Sequence, residues 1–272
     1  MTDVRFATHP TEMDRLTPAE LRERFVLEEL FVPGEVRFTL THHDRILIGG
    51  ALPAGGTLDV PVPDEIRAEQ LTDRREVGIA CLEGSGAVHV GEKVHEVGTE
   101  DIVYVGRGSE PLRLSGDAVF YLISGPAHEA LPTTVARRDE AETVPLGDQE
   151  HANVRTIRKY IHQDGVQSCT LAMGITTIEP GSVWNTMPCH THDRRTEIYL
   201  YFGVPEDQRV IHLCGRPDST RSLVMADKQA VISPAWSVHF GAGTASYKFV
   251  WSTAGENLTY TDMDPVDTRD LR

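Results

Sequence analysis

From Val36 onward the chain is a succession of short β-forming runs separated by glycine and proline, and the runs fall into two sets. Arg45-Ile46-Leu47-Ile48, Val77-Gly78-Ile79-Ala80-Cys81, Ala87-Val88-His89-Val90 and Ile102-Val103-Tyr104-Val105 make the first. Thr170-Leu171-Ala172-Met173, Ile198-Tyr199-Leu200-Tyr201-Phe202, Arg209-Val210-Ile211-His212-Leu213 and Tyr247-Lys248-Phe249-Val250-Trp251 make the second. Many short strands with turn signals between them predict an all-β sandwich or barrel.

The two sets resemble each other in order. Asp73-Arg74-Arg75-Glu76-Val77 is similar to Asp193-Arg194-Arg195-Thr196-Glu197-Ile198, and Val88-His89-Val90-Gly91 to Ile211-His212-Leu213-Cys214-Gly215. Phe120-Tyr121-Leu122-Ile123-Ser124-Gly125 is similar to Phe249-Val250-Trp251-Ser252-Thr253-Ala254-Gly255. Offsets of roughly 120 to 130 residues point to duplication, hence two barrels of similar build. The polar stretch Ala136–Gln149 reads as the linker, which sets domains at 1–135 and 150–272. A chain of 272 residues is long enough to give each a core. One helix is expected before the strands: Thr17 can cap it, Pro18 suits its first turn, Glu20 closes a capping box, and it ends near Phe25–Leu30.

Charge excludes some partners. The chain carries 26 basic and 41 acidic side chains, a formal net charge of −15, which repels nucleic-acid phosphates and anionic lipid. An anionic substrate then needs a local group of arginines. No run of eighteen apolar residues and no secretory leader is evident, so the expectation is a cytoplasmic protein with no membrane contact. Cys81, Cys169, Cys189 and Cys214 lack C-x-x-C spacing and read as buried thiols.

Chemistry concentrates in Cys189-His190-Thr191-His192-Asp193-Arg194-Arg195-Thr196-Glu197. Histidines two apart on a strand share a face, about 7 Å apart along the chain. A metal with bonds of about 2.0–2.1 Å to each nitrogen can bridge them. A turn through 193–196 would bring Glu197 back toward the pair, with Tyr199 and Tyr201 on its face. Cys189 is a poor nucleophile here, because its neighbour His190 points the other way.

Residues Ile232-Ser233-Pro234-Ala235-Trp236-Ser237-Val238-His239 follow about forty residues on by direct count. H-x-H-x4-E with P-x-W-x2-H resembles the two metal motifs of the cupin superfamily. In that superfamily three histidines and a glutamate bind a divalent metal inside a small barrel. The resemblance implies a bicupin with His190, His192, Glu197 and His239 as metal ligands. Aligning Asp73 with Asp193 puts Gln70 and Thr72 at the histidine positions, leaving Glu76 as the one remnant ligand. The N-terminal copy is therefore expected to bind no metal. His89 and His212 align, and both read as structural.

Longer stretches carry a closer resemblance. Trp184 through Arg195, Ser168-Cys169 with Met173-Gly174, Pro234 through His239, Ala254-Gly255-Glu256-Asn257 and Asp262-Met263-Asp264 are similar to the 4-deoxy-L-threo-5-hexosulose-uronate ketol-isomerase family, also called 5-keto-4-deoxyuronate isomerases. Thr17, Leu21-Arg22, Phe25, Asp44-Arg45-Ile46 and Gly49-Gly50 match that family's opening. Residues 218–222 depart from its pattern. The resemblance implies a zinc-containing isomerase of pectin breakdown that acts on an anionic sugar, and a homo-oligomer, specifically a hexamer. Arg194, Arg195 and Arg221 are candidates to hold the substrate carboxylate, and Tyr199 and Tyr201 to bond it, with surface ion pairs and barrel packing as the plain alternatives. The same ligand set holds iron or manganese in oxygenases. A related inositol-pathway isomerase and a sugar-binding regulator are the other readings.

Overall fold

The computed structural model describes residues 2–272. Among them the α-helices are Pro10–Met13 and Pro18–Phe25, and the rest of the regular structure is strand with three short 3-10 turns. The chain is all-β, as the spacing of its runs predicts.

Two sheet pairs repeat one strand order. The first seven-stranded sheet runs Asp3–Arg5, Val36–Thr41, Leu47–Ala51, Val119–Pro126, Arg75–Glu83, Ile102–Val105, Thr134–Ala136. Its four-stranded partner runs Thr57–Asp59, Leu112–Gly116, Ser85–Val90, Lys93–Gly98. Leu47, Val77, Ile79 and Leu122 from the large sheet and Val88, Val90, Leu112 and Leu114 from the small one form a single buried cluster. The second large sheet runs Glu142–Leu146, Arg155–Ile161, Leu171–Ile178, Lys248–Gly255, Arg195–Phe202, Gln229–Ser233, Val26–Leu27. The small sheet with it runs Trp184–Asn185, Val238–Gly243, Val210–Arg216, Ser219–Met225.

The compact units interleave along the chain instead of following the expected boundaries at 135 and 150. One unit holds Glu29–Glu142 and Lys159–Met173; the other holds Phe6–Glu28, Thr143–Arg158 and Gly174–Arg272. Local chemistry explains why residues 6–28 go with the second. Thr17 Oγ1 accepts from Glu20 N at 3.3 Å and Glu20 Oε2 accepts from Thr17 N at 2.7 Å, the predicted capping box. Leu21 and Phe25, four apart on one helix face, are both buried, each contributing about 1.5–3 kcal/mol. Val26 and Leu27 then pair with Val231 and Ala230. Arg221 donates to the carbonyls of Met13 and Leu16 at 2.7 and 2.6 Å, fixing the turn before the helix.

Two expectations about the first unit need correction. Val77, not Glu76, occupies the core-facing position. Glu76 points to the other face, as successive strand residues must. There it is fully buried and accepts from the backbone N–H of Cys169, Thr170 and Leu171 at 2.7–2.9 Å and from Tyr104 Oη at 2.7 Å. It is a structural anchor and not a remnant ligand. His89 and His212 are not counterparts either. Val88 and Val90 face the first core, so His89 between them lies on the outer face, where Nε2 meets Ser115 Oγ at 2.8 Å. His212 is fully buried.

Candidate metal centre

The four residues singled out in the sequence converge. One potential ligand atom from each of His190, His192, Glu197 and His239 lies within 4.8 Å of all the others. His190 comes from the short strand His190–Thr191, which pairs with Asp264–Pro265. The expected ladder between the histidine pair and the glutamate strand does not form. A tight turn does the work instead: Arg195 N donates to the His192 carbonyl at 3.2 Å, and His192 Nδ1 lies 2.9 Å from the Arg195 carbonyl. The strand Arg195–Phe202 opens there, two residues before Glu197. His239 sits on Val238–Gly243 opposite Cys214, after a turn closed by Ser237 N donating to the Pro234 carbonyl at 2.8 Å.

Carbonyl oxygens only accept, so the two Nδ1 contacts fix tautomers. His192 Nδ1 donates to Arg195 O and His239 Nδ1 to Ser237 O at 3.1 Å. Both rings then turn Nε2 inward. His192 Nε2 and His239 Nε2 lie 2.9 and 3.1 Å from Glu197 Oε2, and His239 Nε2 lies 3.2 Å from His190 Nε2. Such a set of lone pairs facing one another is the arrangement that a divalent cation satisfies, and three imidazoles with one carboxylate suit zinc, iron or manganese. Burial alone would raise the Glu197 carboxyl, yet the imidazoles of His239 and His192 outweigh it and hold the group well below the usual carboxylate range. Burial and His239 push His190 down to about 3, so it is neutral and ready to coordinate.

Around this cluster the barrel is unusually polar for an interior. Tyr199 and Tyr201 share the face of Glu197, as the alternation requires, and both are buried. Tyr199 Oη bonds Thr186 Oγ1 at 2.7 Å, and Thr186 is held in the left-handed region at φ 47°. A β-branched residue rarely adopts that backbone, a strain that tends to gather at functional sites. Asn185 Nδ2 donates to Tyr201 Oη at 3.4 Å and to Tyr247 Oη at 2.8 Å. Tyr201 Oη therefore donates onward to His212 Nδ1 at 2.8 Å. Burial raises both Tyr199 and Tyr201, so the phenols stay protonated.

Of the three arginines chosen from sequence, Arg194 and Arg221 are engaged elsewhere, while Arg195 keeps a buried Nε without a hydrogen-bond partner. Arg194 pairs with Asp262 and Asp264 at 2.8 and 2.9 Å. Arg195 is buried and donates to the carbonyls of Thr259 and Asp262 at 2.9 and 3.1 Å. Arg221 holds the Met13–Leu16 turn as described, which corrects its reading as a substrate residue. Sequence reasoning passed over Arg155, which is half-buried and donates from Nη1 to the Asn153 carbonyl at 2.8 Å. Nothing in Arg155-Thr156-Ile157-Arg158 separates it from an ordinary surface strand.

Residues 38–268 match the KduI/IolB family. The chain is 48% identical over 276 residues to the 4-deoxy-L-threo-5-hexosulose-uronate ketol-isomerase of Kineococcus radiotolerans, covering 98% of this chain and 99% of that one. It is 43% identical to the protein of that name from Shouchella clausii, covering 99% and 100%. Among solved structures, an IolB-like protein from Salmonella typhimurium superposes with a TM-score of 0.68 at 14% identity, over 92% of this chain and 91% of that one. Oxalate decarboxylase from Bacillus subtilis superposes with a TM-score of 0.51 at 14% identity, over 71% and 65%. These structural likenesses establish the paired cupin fold.

Proposed function

The chain belongs to the KduI/IolB family, and on that premise we propose that it is a 4-deoxy-L-threo-5-hexosulose-uronate ketol-isomerase of pectin degradation. The reaction converts the acyclic aldehyde uronate to 3-deoxy-D-glycero-2,5-hexodiulosonate. One observation carries the reading: near-complete coverage at 43–48% identity to proteins of that name, in a chain whose second barrel gathers a three-histidine, one-glutamate cluster. The likeness to the IolB-like structure, at 14% identity, speaks for the fold and not for its substrate.

His190, His192, Glu197 and His239 are the residues that would hold the metal, and zinc is the metal we assign. A bound divalent ion polarises a carbonyl and acidifies the adjacent C–H, and zinc confines the chemistry to proton transfer because it has no redox step. The rest falls to the protein. Removing the C2 proton and protonating the aldehyde oxygen gives an enediol, and returning a proton to C1 with loss of the C2 hydroxyl proton gives the ketose. The Tyr199 and Tyr201 phenols, kept protonated by burial, donate hydrogen bonds and do not act as bases.

The remaining parts of the proposal concern setting. Residues of the first barrel serve as scaffold and bind no metal. A homo-oligomer, a hexamer in our reading, is supported by Ile211 and Val224, cross-strand neighbours that expose 42% and 52% of their surface. All four cysteines are free, which suits the reducing cytoplasm. No helix among the described residues is long and apolar enough to cross a membrane. Conversion of the acyclic uronate by the purified, metal-replete protein tests the activity, and light scattering tests the assembly.

A further inference from the structure

A local group of arginines, which an acidic chain needs in order to receive an anion, stands in the first barrel. Arg45, Arg74 and Arg75 line one cavity of about 540 Å³, with Glu65 as the acid of the lining. That volume suits a ligand of hexose size. Leu40 and Ile66 form part of its wall, and the first belongs to the apolar core of the barrel while the second packs against it. Arg75 opens the strand Arg75–Glu83 two positions before Val77. It therefore shares the core-facing side and stands at the end of the core.

Neutral groups position these cations without neutralising them. Arg75 is 6% exposed and donates from Nε to Ser124 Oγ at 3.0 Å and from Nη2 to the carbonyls of Ser124 and Arg45, both at 2.7 Å. Arg74 donates from Nη2 to the carbonyls of Ile66 and Arg67 at 2.8 and 2.9 Å. No carboxylate pairs with Arg45, Arg74 or Arg75 among the described residues, and Glu65 is exposed. Burial, and then the Arg45 guanidinium, push Arg75 down to about 10, so it is still a cation at neutral pH. A buried cation beside another cation is unfavourable unless an anion compensates it.

The turn that carries Arg45 is an independent observation. Ile46 N donates to the His43 carbonyl at 3.4 Å across Asp44 and Arg45, whose φ angles are 48° and 52°. Two successive left-handed residues in a hairpin ordinarily include glycine at the second position. An arginine there is strained, and such strain gathers where a side chain serves a function. The Arg45 carbonyl takes up Arg75 while its side chain lines the cavity.

We propose that this cavity binds a small polar anion of sugar size, holding its carboxylate or phosphate oxygens with Arg45, Arg74 and Arg75. Guanidinium groups meet two oxygens of either group through parallel N–H donors. Glu65 supplies an acceptor for a hydroxyl of the same ligand. The metal cluster belongs to the other compact unit, so this site is distinct from it and does not depend on the isomerase reading.

The test is titration calorimetry on the metal-loaded protein with D-galacturonate, D-galactose 6-phosphate and D-galactose. The unaltered chain is compared with R45Q, R45K and H239A, the last because a sugar acid could also visit the metal centre. At least one of the two anions should bind with a Kd at or below about 1 mM, and galactose should not. The anion that binds more tightly identifies the preferred oxyanion. R45Q should weaken binding about tenfold or more through the loss of charged hydrogen bonds. R45K should fall between, since an ammonium keeps the charge but loses the fork. H239A should leave this binding event in place. Melting temperature and metal content show whether R45Q is folded, and if it is not, R74Q takes its place with the same expectation. Four results overturn the proposal: no heat from either anion, equal binding of galactose, an affinity in R45Q within about threefold of the unaltered chain, or an event lost in H239A and kept in R45Q. A changed subunit number in R45Q, with no anion bound by the unaltered protein, would assign the arginines to a contact between copies and overturn it too.

Discussion

Val77 and Glu197 hold the same station in two sheets of identical strand order. Val77 lies opposite Ser124 and Val105, and Glu197 lies opposite Thr253 and Ser233. The valine joins an apolar core while the glutamate faces three imidazoles. One duplicated framework therefore carries two interiors, one packed and one built for a ligand. The expected stoichiometry is one divalent metal per chain. H239A should fall well below that value in elemental analysis and lose activity in step, because metal affinity depends on the complete ligand set. Two metals per chain would place a second site in the first barrel and refute the assignment of Val77.

Replacing Glu76 by glutamine should destabilise the protein without touching the metal. The carboxylate accepts from three backbone N–H groups and a phenol in a fully buried setting. An amide turns an N–H toward donors, so the loss should be about 3 kcal/mol. Denaturant unfolding measures it, with unchanged metal content as the control. A loss under about 1 kcal/mol would show that the anchor contributes little.

Much of this was legible in the sequence, and the failures have a common cause. Thr17, Pro18 and Glu20 make a local capping box, which four consecutive residues suffice to specify. His190, His192 and Glu197 lie within eight positions, so their convergence follows from strand alternation and one turn. Arg221 failed because its partners Met13 and Leu16 are 208 and 205 residues away. Arg194 failed because Asp262 and Asp264 reach it from 68 and 70 residues on. Glu76 failed by a single position. A shift of one residue along a strand exchanges the two faces, and motif similarity alone does not fix register that finely.

The Arg194–Asp262 pair should contribute to stability in a defined pH window. Hydrogen bonds from Arg194 and then Asn257 lower the Asp262 carboxyl from its ordinary value of 3.8 to about 2. A carboxyl depressed by folding stabilises the native state above its unfolded value, and the contribution is lost as pH falls through the folded value. D262N should therefore lower Tm modestly at neutral pH, with the gap to the unaltered protein closing between about pH 4 and pH 2. Calorimetric scans across that range measure it, and a gap that does not change with pH would contradict the pairing.

Cysteine reactivity should differ sharply between folded and unfolded protein. Burial, with Asp101 adding to it, pushes the Cys81 thiol up to about 12, and burial pushes Cys214 to about 12. The thiolate is the reactive form, so iodoacetamide at pH 8 should leave both unmodified in the native state and label both in denaturant. Peptide mass spectrometry reads each site. Rapid native labelling of Cys214 would show that the barrel wall opens.

The most direct measurement of the central claim is to incubate the metal-replete protein with the acyclic 4-deoxy-hexosulose uronate in deuterated water and follow the carbons by NMR. The account predicts loss of the aldehyde, appearance of the 2,5-diulosonate ketose, and no reaction once a chelator has removed the metal. Deuterium at the former aldehyde carbon would mark an enediol open to solvent, and its absence one shielded by the barrel. An aldehyde that persists in the presence of folded, metal-replete protein would contradict the assignment.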